Sequence, residues 1–102
     1  MQFIIHAYDG TDDGALDRRM AVRQQHLDNL QKVKEIGSVI IGGGILDDDG
    51  RMIGSVMVLD FPTKEDFDAY LENEPYITGG VWQDVRVNNY NTVILNDQKV
   101  GA

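Results

Sequence analysis

At 102 residues the chain is sized for one domain, and its 42% hydrophobic and 25% charged content is that of an ordinary globular protein. Nine Lys and Arg against 17 Asp and Glu give a net charge of 9 − 17 = −8, which argues against nucleic acid and against anionic membrane surfaces, since both are bound through basic side chains. The absence of cysteine removes disulfides, a thiolate nucleophile and thiolate metal ligands.

Gln2 to Tyr8 is rich in β-branched and aromatic residues and ends at the turn signal Asp9-Gly10. It reads as a first strand with apolar residues on both faces, hence a central one. It has no basic region ahead of an apolar run, so no signal peptide is expected. No apolar stretch approaches the roughly 20 residues of a membrane span. A cytoplasmic location follows as the expectation.

Ala15 to Ile36 has helical periodicity and stops at Gly37. Leu16, Met20, Leu27 and Leu30 form one stripe, with Val33 at its edge and His26 on its flank. Arg23 falls near the stripe's centre, where an unpaired charge is costly. The pattern predicts a break near Val22–Gln24, with a main helix from about Gln24. Ser38 to Leu46 is a second strand, which Gly42-Gly43-Gly44 is expected to interrupt by a bulge or a close approach. Asp47-Asp48-Asp49-Gly50 is an acidic turn that lacks the spaced ligands of a calcium loop. Arg51 to Phe61 completes a hairpin.

Thr63 caps a second helix, with Asp66 as a short form of the capping-box acid. Phe67, Tyr70, Leu71 and Glu74 share one face, and Pro75 is expected to end the helix, so its last inward position holds a carboxylate. Tyr76 to Trp82 reads as a short connection, and Val85 to Leu95 as the last strand, with a polar middle.

The order β-α-β-β-α-β predicts an α+β, ferredoxin-like fold: a four-stranded antiparallel sheet with two helices on one face. The expected domain spans residues 1–95, with a C-terminal tail over 96–102. The sheet's other face is left bare, and a homodimer packed through it is the expected cover.

Arg23-x-x-His26-Leu27-x-x-Leu30, then Gly37, Gly42-Gly43-Gly44, Gly54-Ser55, and Glu74-Pro75-Tyr76 followed by Gly79-Gly80, resembles the YciI-like (YCII-related) proteins over nearly the whole chain. The resemblance implies a dimeric α+β barrel. It also implies a His–Asp active-site pair, with an acid–base role suggested by a dechlorinating member that acts on a hydroxylated chloroaromatic. His26 takes the histidine's place, and Glu74 stands where the family has Asp. Gly43-Gly44 replaces a usual Gly-Pro, and Gln24-Gln25 a usual Pro.

His26 and Glu74 are therefore the expected catalytic pair. A carboxylate beside an imidazole fixes its tautomer and suits it to acid–base work. The bland alternative is that the two merely satisfy each other at an element boundary. Arg23, Tyr76, Gly43, Ser55 and His6 are the expected substrate-binding set. Arg23 would bind an anion or else form a surface ion pair. His6 would reach the pocket or else sit in the core or interface, and Tyr76 and Trp82 would wall a site or else simply pack.

No metal site is expected from two histidines without a ligand triad, and no dinucleotide site from a glycine run lacking G-x-G-x-x-G spacing. Three functional readings follow. The first is a cofactor-independent lyase, dehydrohalogenase or isomerase acting on a small, aromatic or carbonyl-containing metabolite. The second is a non-catalytic ligand-binding or accessory module on the same barrel. The third is a cofactorless monooxygenase.

Overall fold

The computed structural model describes residues 1–96 and the backbone of Gln98 and Lys99. Its elements are β1 (Gln2–Asp9), α1 (Ala15–Glu35), β2 (Val39–Leu46), β3 (Met52–Asp60), α2 (Lys64–Glu72), α3 (Pro75–Thr78), β4 (Trp82–Tyr90), β5 (Ile94–Leu95) and β6 (Gln98–Lys99). The main sheet is antiparallel in the order β2-β3-β1-β4, which is the ferredoxin-like arrangement expected from the element order. β1 lies between β3 and β4, the central place expected of it, although only one of its faces is covered.

Alternation in β1 divides the sheet. Phe3, Ile5, Ala7 and Asp9 are buried, whereas His6 and Tyr8, on the opposite face, are exposed. The buried face continues through Met57 and Leu59 of β3 and meets Phe67, Tyr70, Tyr76, Val81 and Trp82 in one core. Phe3 stacks on Phe67 with centroids 4.2 Å apart, which ties α2 to the middle of the sheet. Among the described residues no helix is long and apolar enough to cross a membrane.

Four expectations are corrected. First, α1 runs unbroken for 21 residues. Its inward face is not the Leu16–Met20–Leu27 stripe, whose members are exposed, but a line through Arg19 and His26 with Val22, Leu30 and Val33 beside it. At 100° per residue this is a rotation of roughly 90°. The helix need not break, because the charged side chains it turns inward have partners. Second, Gly42, Gly43 and Gly44 do not interrupt β2. They pair in step with Met57, Val56 and Ser55, and the register shifts lie on either side, between Val39 and Ile41 and between Ile45 and Leu46.

Third, α2 ends at Glu72 with Asn73 as its cap, so Glu74 is not a helical position of α2. Glu74 instead caps the single turn of α3, in the segment expected to be a plain connection. Thr63 does cap α2, accepting from the Asp66 N–H at 3.1 Å. Fourth, the last strand leaves the sheet at Tyr90, where its partner β1 runs out at Gln2. There the Gln2 Oε1 accepts from the Thr92 N–H and hydroxyl at 2.9 and 2.8 Å, drawing the chain aside. Beyond it β5 pairs with β6, so part of the expected tail is a hairpin; Asp97 and Val100 to Ala102 lie outside the described residues.

A Cβ on Gly54 would collide with the Ala7 carbonyl oxygen of the neighbouring strand, a backbone atom that cannot swing aside as a side chain can. Gly54→Ala is expected to destabilise the protein by about 1–3 kcal/mol, measured by chemical denaturation.

Candidate active site

α1 and α3 meet over one end of the sheet and bring together residues 48 positions apart. Their close packing depends on Gly79, where a Cβ would stand 2.8 Å from the Pro75 carbonyl oxygen and 3.2 Å from Val22. Pro75 begins α3 in the position where its missing N–H costs nothing. This leaves the Glu74 side chain free to cap the turn, and its Oε1 accepts from the Tyr76 N–H at 3.2 Å.

The same Oε1 lies 2.5 Å from His26 Nδ1, and the Tyr70 hydroxyl donates to Oε2 at 2.6 Å. Glu74 is fully buried, yet its carboxylate is held by three partners. Burial first, and then the adjacent Glu74 charge, push the Tyr70 phenol well above its ordinary range. Tyr70 therefore acts as a fixed donor to the carboxylate.

The imidazole stacks on the Tyr76 ring with centroids 3.9 Å apart and 11° between planes. With Nδ1 committed to Glu74, Nε2 is the ring's remaining nitrogen, and no described residue bonds to it. His26 lines a cleft of about 250 Å³ between α1 and β2, together with Arg23, Leu27, Leu30, Met52 and Met57. Gly42, Gly43, Gly44, Ser55 and Tyr76 complete its wall near the sheet.

Arg19 anchors the other side of Tyr76's surroundings. Its guanidinium carbon lies 4.7 Å from that ring's centroid, and its Nη2 donates to the Gly54 carbonyl at 2.5 Å and to Ser55 Oγ at 2.8 Å. Its Nε faces Asp9 at 3.5 Å, too far for a hydrogen bond, and both Asp9 carboxylate oxygens lack hydrogen-bond partners. Burial pushes the Asp9 carboxyl up from its ordinary value, against the pull of Arg19 and Arg18. Burial also raises the Tyr76 phenol, with Arg19 and Arg23 opposing it.

The structure thus brings together His26, Glu74, Arg23, Gly43, Ser55 and Tyr76 of the expected set. It places His6 elsewhere, exposed on the opposite face of the sheet beside Tyr8. Trp82 is not a cleft wall; it is buried, edge-on to Tyr76, and donates to Ser55 Oγ at 3.2 Å. Arg19, 1% exposed, is the residue that sequence reasoning missed. The signal was present: Arg19, Arg23 and His26 are spaced i, i+4, i+7 on one helix face. A larger hollow of about 560 Å³ lies beside the β1–α1 loop, lined by Asp9, Asp12, Asp13, Asp17 and Asp47. It is lined by carboxylates and holds neither histidine.

Residues 1–91 match the YCII-related domain model. The chain belongs to this family. It is 29% identical over 99 residues to Protein YciI of Escherichia coli O6:H1, covering 91% of this chain and 99% of the relative. It is 27% identical, with the same coverage, to an uncharacterized protein of Haemophilus influenzae. Among solved structures, the 5-chloro-2-hydroxyhydroquinone dehydrochlorinase TftG of Burkholderia phenoliruptrix AC1100, in complex with 2,5-dihydroxybenzoquinone, is similar at a TM-score of 0.75 and 25% identity. The match covers 88% of this chain and 93% of that one. A Nitrosomonas europaea protein bearing the name of an antibiotic biosynthesis monooxygenase shares the fold at a TM-score of 0.52 and 19% identity, over 87% and 86% of the two chains.

The Arg19–Asp9 pair makes a stability prediction. Arg19→Met leaves a buried carboxylate without its cation and is expected to cost about 3–5 kcal/mol, largely relieved by adding Asp9→Leu. Two carboxyls set opposite pH trends. Asp9 binds its proton more tightly when folded, so its contribution is fully present below the unfolded value of 3.8 and lost as pH rises through the folded one. Asp12, held down to about 2 chiefly by its hydrogen bonds with Arg18, contributes above 3.8 and loses that contribution as pH falls towards 2. Asp9→Asn is expected to gain stability relative to the parent as pH rises from acid, and Asp12→Asn as pH falls, both read from denaturation midpoints across pH.

Proposed function

We propose that the cleft is the active site of a cofactor-independent acid–base enzyme acting on a small hydroxylated or carbonyl-bearing metabolite. The observation that carries this reading is the buried Glu74 carboxylate on His26 Nδ1, which leaves Nε2 as the working nitrogen of a cleft-lining imidazole. Nε2 takes a proton from a hydroxyl or an activated carbon of the substrate. The electron pair left behind either expels a leaving group such as chloride, for net loss of HX, or relocates in a tautomerisation. Neither course needs an oxidant. Glu74 orients the ring and balances the imidazolium, and Tyr70 and the Tyr76 N–H hold Glu74. The likeness to a dehydrochlorinase supports the eliminating course.

Chloride release from chlorinated hydroxyhydroquinones tests the proposal. His26→Ala is expected to lower turnover by roughly 10²–10⁴-fold, and Glu74→Gln by a smaller factor of roughly tenfold or more, with substrate binding kept in both. Oxygen consumed in step with turnover would move the assignment to a cofactorless monooxygenase. Binding without any turnover would make the chain a ligand-binding module.

We further propose that the sheet face remote from the helices packs against a second copy. It exposes Tyr8, Ile41 and Tyr90 around the half-buried Ile4 and Val56, an apolar face that a second copy would cover. His6 lies at its centre. Light scattering at micromolar concentration is expected to give twice the 11.4 kDa chain mass, and Tyr8→Lys with Ile41→Lys to give the monomer.

A further inference from the structure

Hydrogen-bond accounting at Ser55 leaves one proton over. Its Oγ is met by three N–H donors: Arg19 Nη2 at 2.8 Å, Trp82 Nε1 at 3.2 Å and Arg19 Nη1 at 3.3 Å. A hydroxyl has two lone pairs, and these donors use both. The hydroxyl proton must therefore point away from them, and no described residue accepts it. Ser55 is only 3% exposed, yet it lines the cleft. Arg19 cannot turn away, because it is also bound to the Gly54 carbonyl and faces the Asp9 carboxylate.

The rest of the cleft has matching chemistry. Arg23 lines it half-buried, and no hydrogen bond or ion pair to its guanidinium is made among the described residues. Leu27, Leu30, Met52 and Met57 form apolar walls, and Gly42 and Gly44 leave the sheet side open where side chains would otherwise stand. A fixed hydroxyl donor and an unpaired cation, set beside Arg19 and His26 and against these apolar walls, recognise an oxygen-centred negative charge on a compact carbon frame.

We infer that Ser55, its proton aimed by Arg19 and Trp82, donates to an anionic oxygen of the ligand, and that Arg23 supplies the countercharge. The ligand class is a small, largely apolar oxyanion: a carboxylate, phenolate or enolate. In a reaction begun by His26 the same donor meets the charge that develops on the substrate oxygen when the proton leaves. The inference rests on reading this cleft as the ligand site, but not on turnover.

Benzoate and its neutral counterpart benzamide, titrated into the full chain by NMR, separate the two contributions. Benzoate is expected to bind with shifts at Gly42, Gly44 and His26. Ser55→Ala should weaken benzoate by roughly ten- to a hundredfold and benzamide by a smaller factor, roughly two- to tenfold, whereas Arg23→Gln should weaken benzoate alone. Ser55→Thr, which keeps the hydroxyl, should restore binding and guards against loss of fold in the alanine variant. His26→Gln should still bind benzoate, so a failed enzyme assignment would show as lost turnover with this pattern intact. Absence of benzoate binding, or equal binding by folded Ser55→Ala, overturns the inference.

Discussion

The site depends on a carboxylate that water cannot reach. Glu74 has no exposed surface, and an isolated charge at such a depth would be neutralised or expelled. Here the imidazole, the Tyr70 hydroxyl and the Tyr76 N–H come from three separate parts of the chain to hold it. Each of those groups is fixed in turn by something larger: α1 by the sheet, Tyr70 by the end of α2, and Tyr76 by the single turn that Glu74 itself caps. Removing the carboxylate would leave three polar groups without their acceptor in a dry interior.

A second buried charge mirrors the first. Arg19 links β1, α1 and β3 through Asp9, Gly54 and Ser55, on the other side of Tyr76 from the His26–Glu74 pair. The two polar networks share Tyr76 as a common wall, since its ring lies against both the imidazole and the guanidinium. An aromatic ring at that place separates a cation from an imidazole while giving each a favourable face. The polar face of α1 thus behaves as a core face whose contents happen to be charged.

That point explains what the amino-acid order made legible and what it concealed. Strand β1, the two ends of α1, the Thr63 cap and the four-stranded topology follow from periodicity, Gly37 and cap chemistry, all local signals, whereas the continuity of α1 does not. His26 and Glu74 were also legible, one as an irregular residue beside an apolar stripe, the other as a carboxylate ahead of a proline. Arg19 was legible only through its helical spacing with Arg23 and His26, because apolar periodicity assigns arginine to solvent and has no means of registering Asp9, Gly54 and Ser55 waiting across the sheet. The same blindness misplaced the inward face of α1, since Leu16, Met20 and Leu27 carry the hydrophobic signal yet face outward. The end of α2 was hidden for a related reason: spacing alone cannot distinguish the last turn of one helix from the cap of the next.

The separation of 48 residues between His26 and Glu74 has a kinetic side. Loops of that length close slowly and late, because the entropy of joining their ends is recovered only once the intervening strands have paired. A nascent or partly opened chain therefore carries an imidazole with no partner and a carboxylate still in water. The contact between them comes into being with the finished β2-β3-β1-β4 sheet and is lost with it, so the pair serves as an internal register of whether the whole domain has closed.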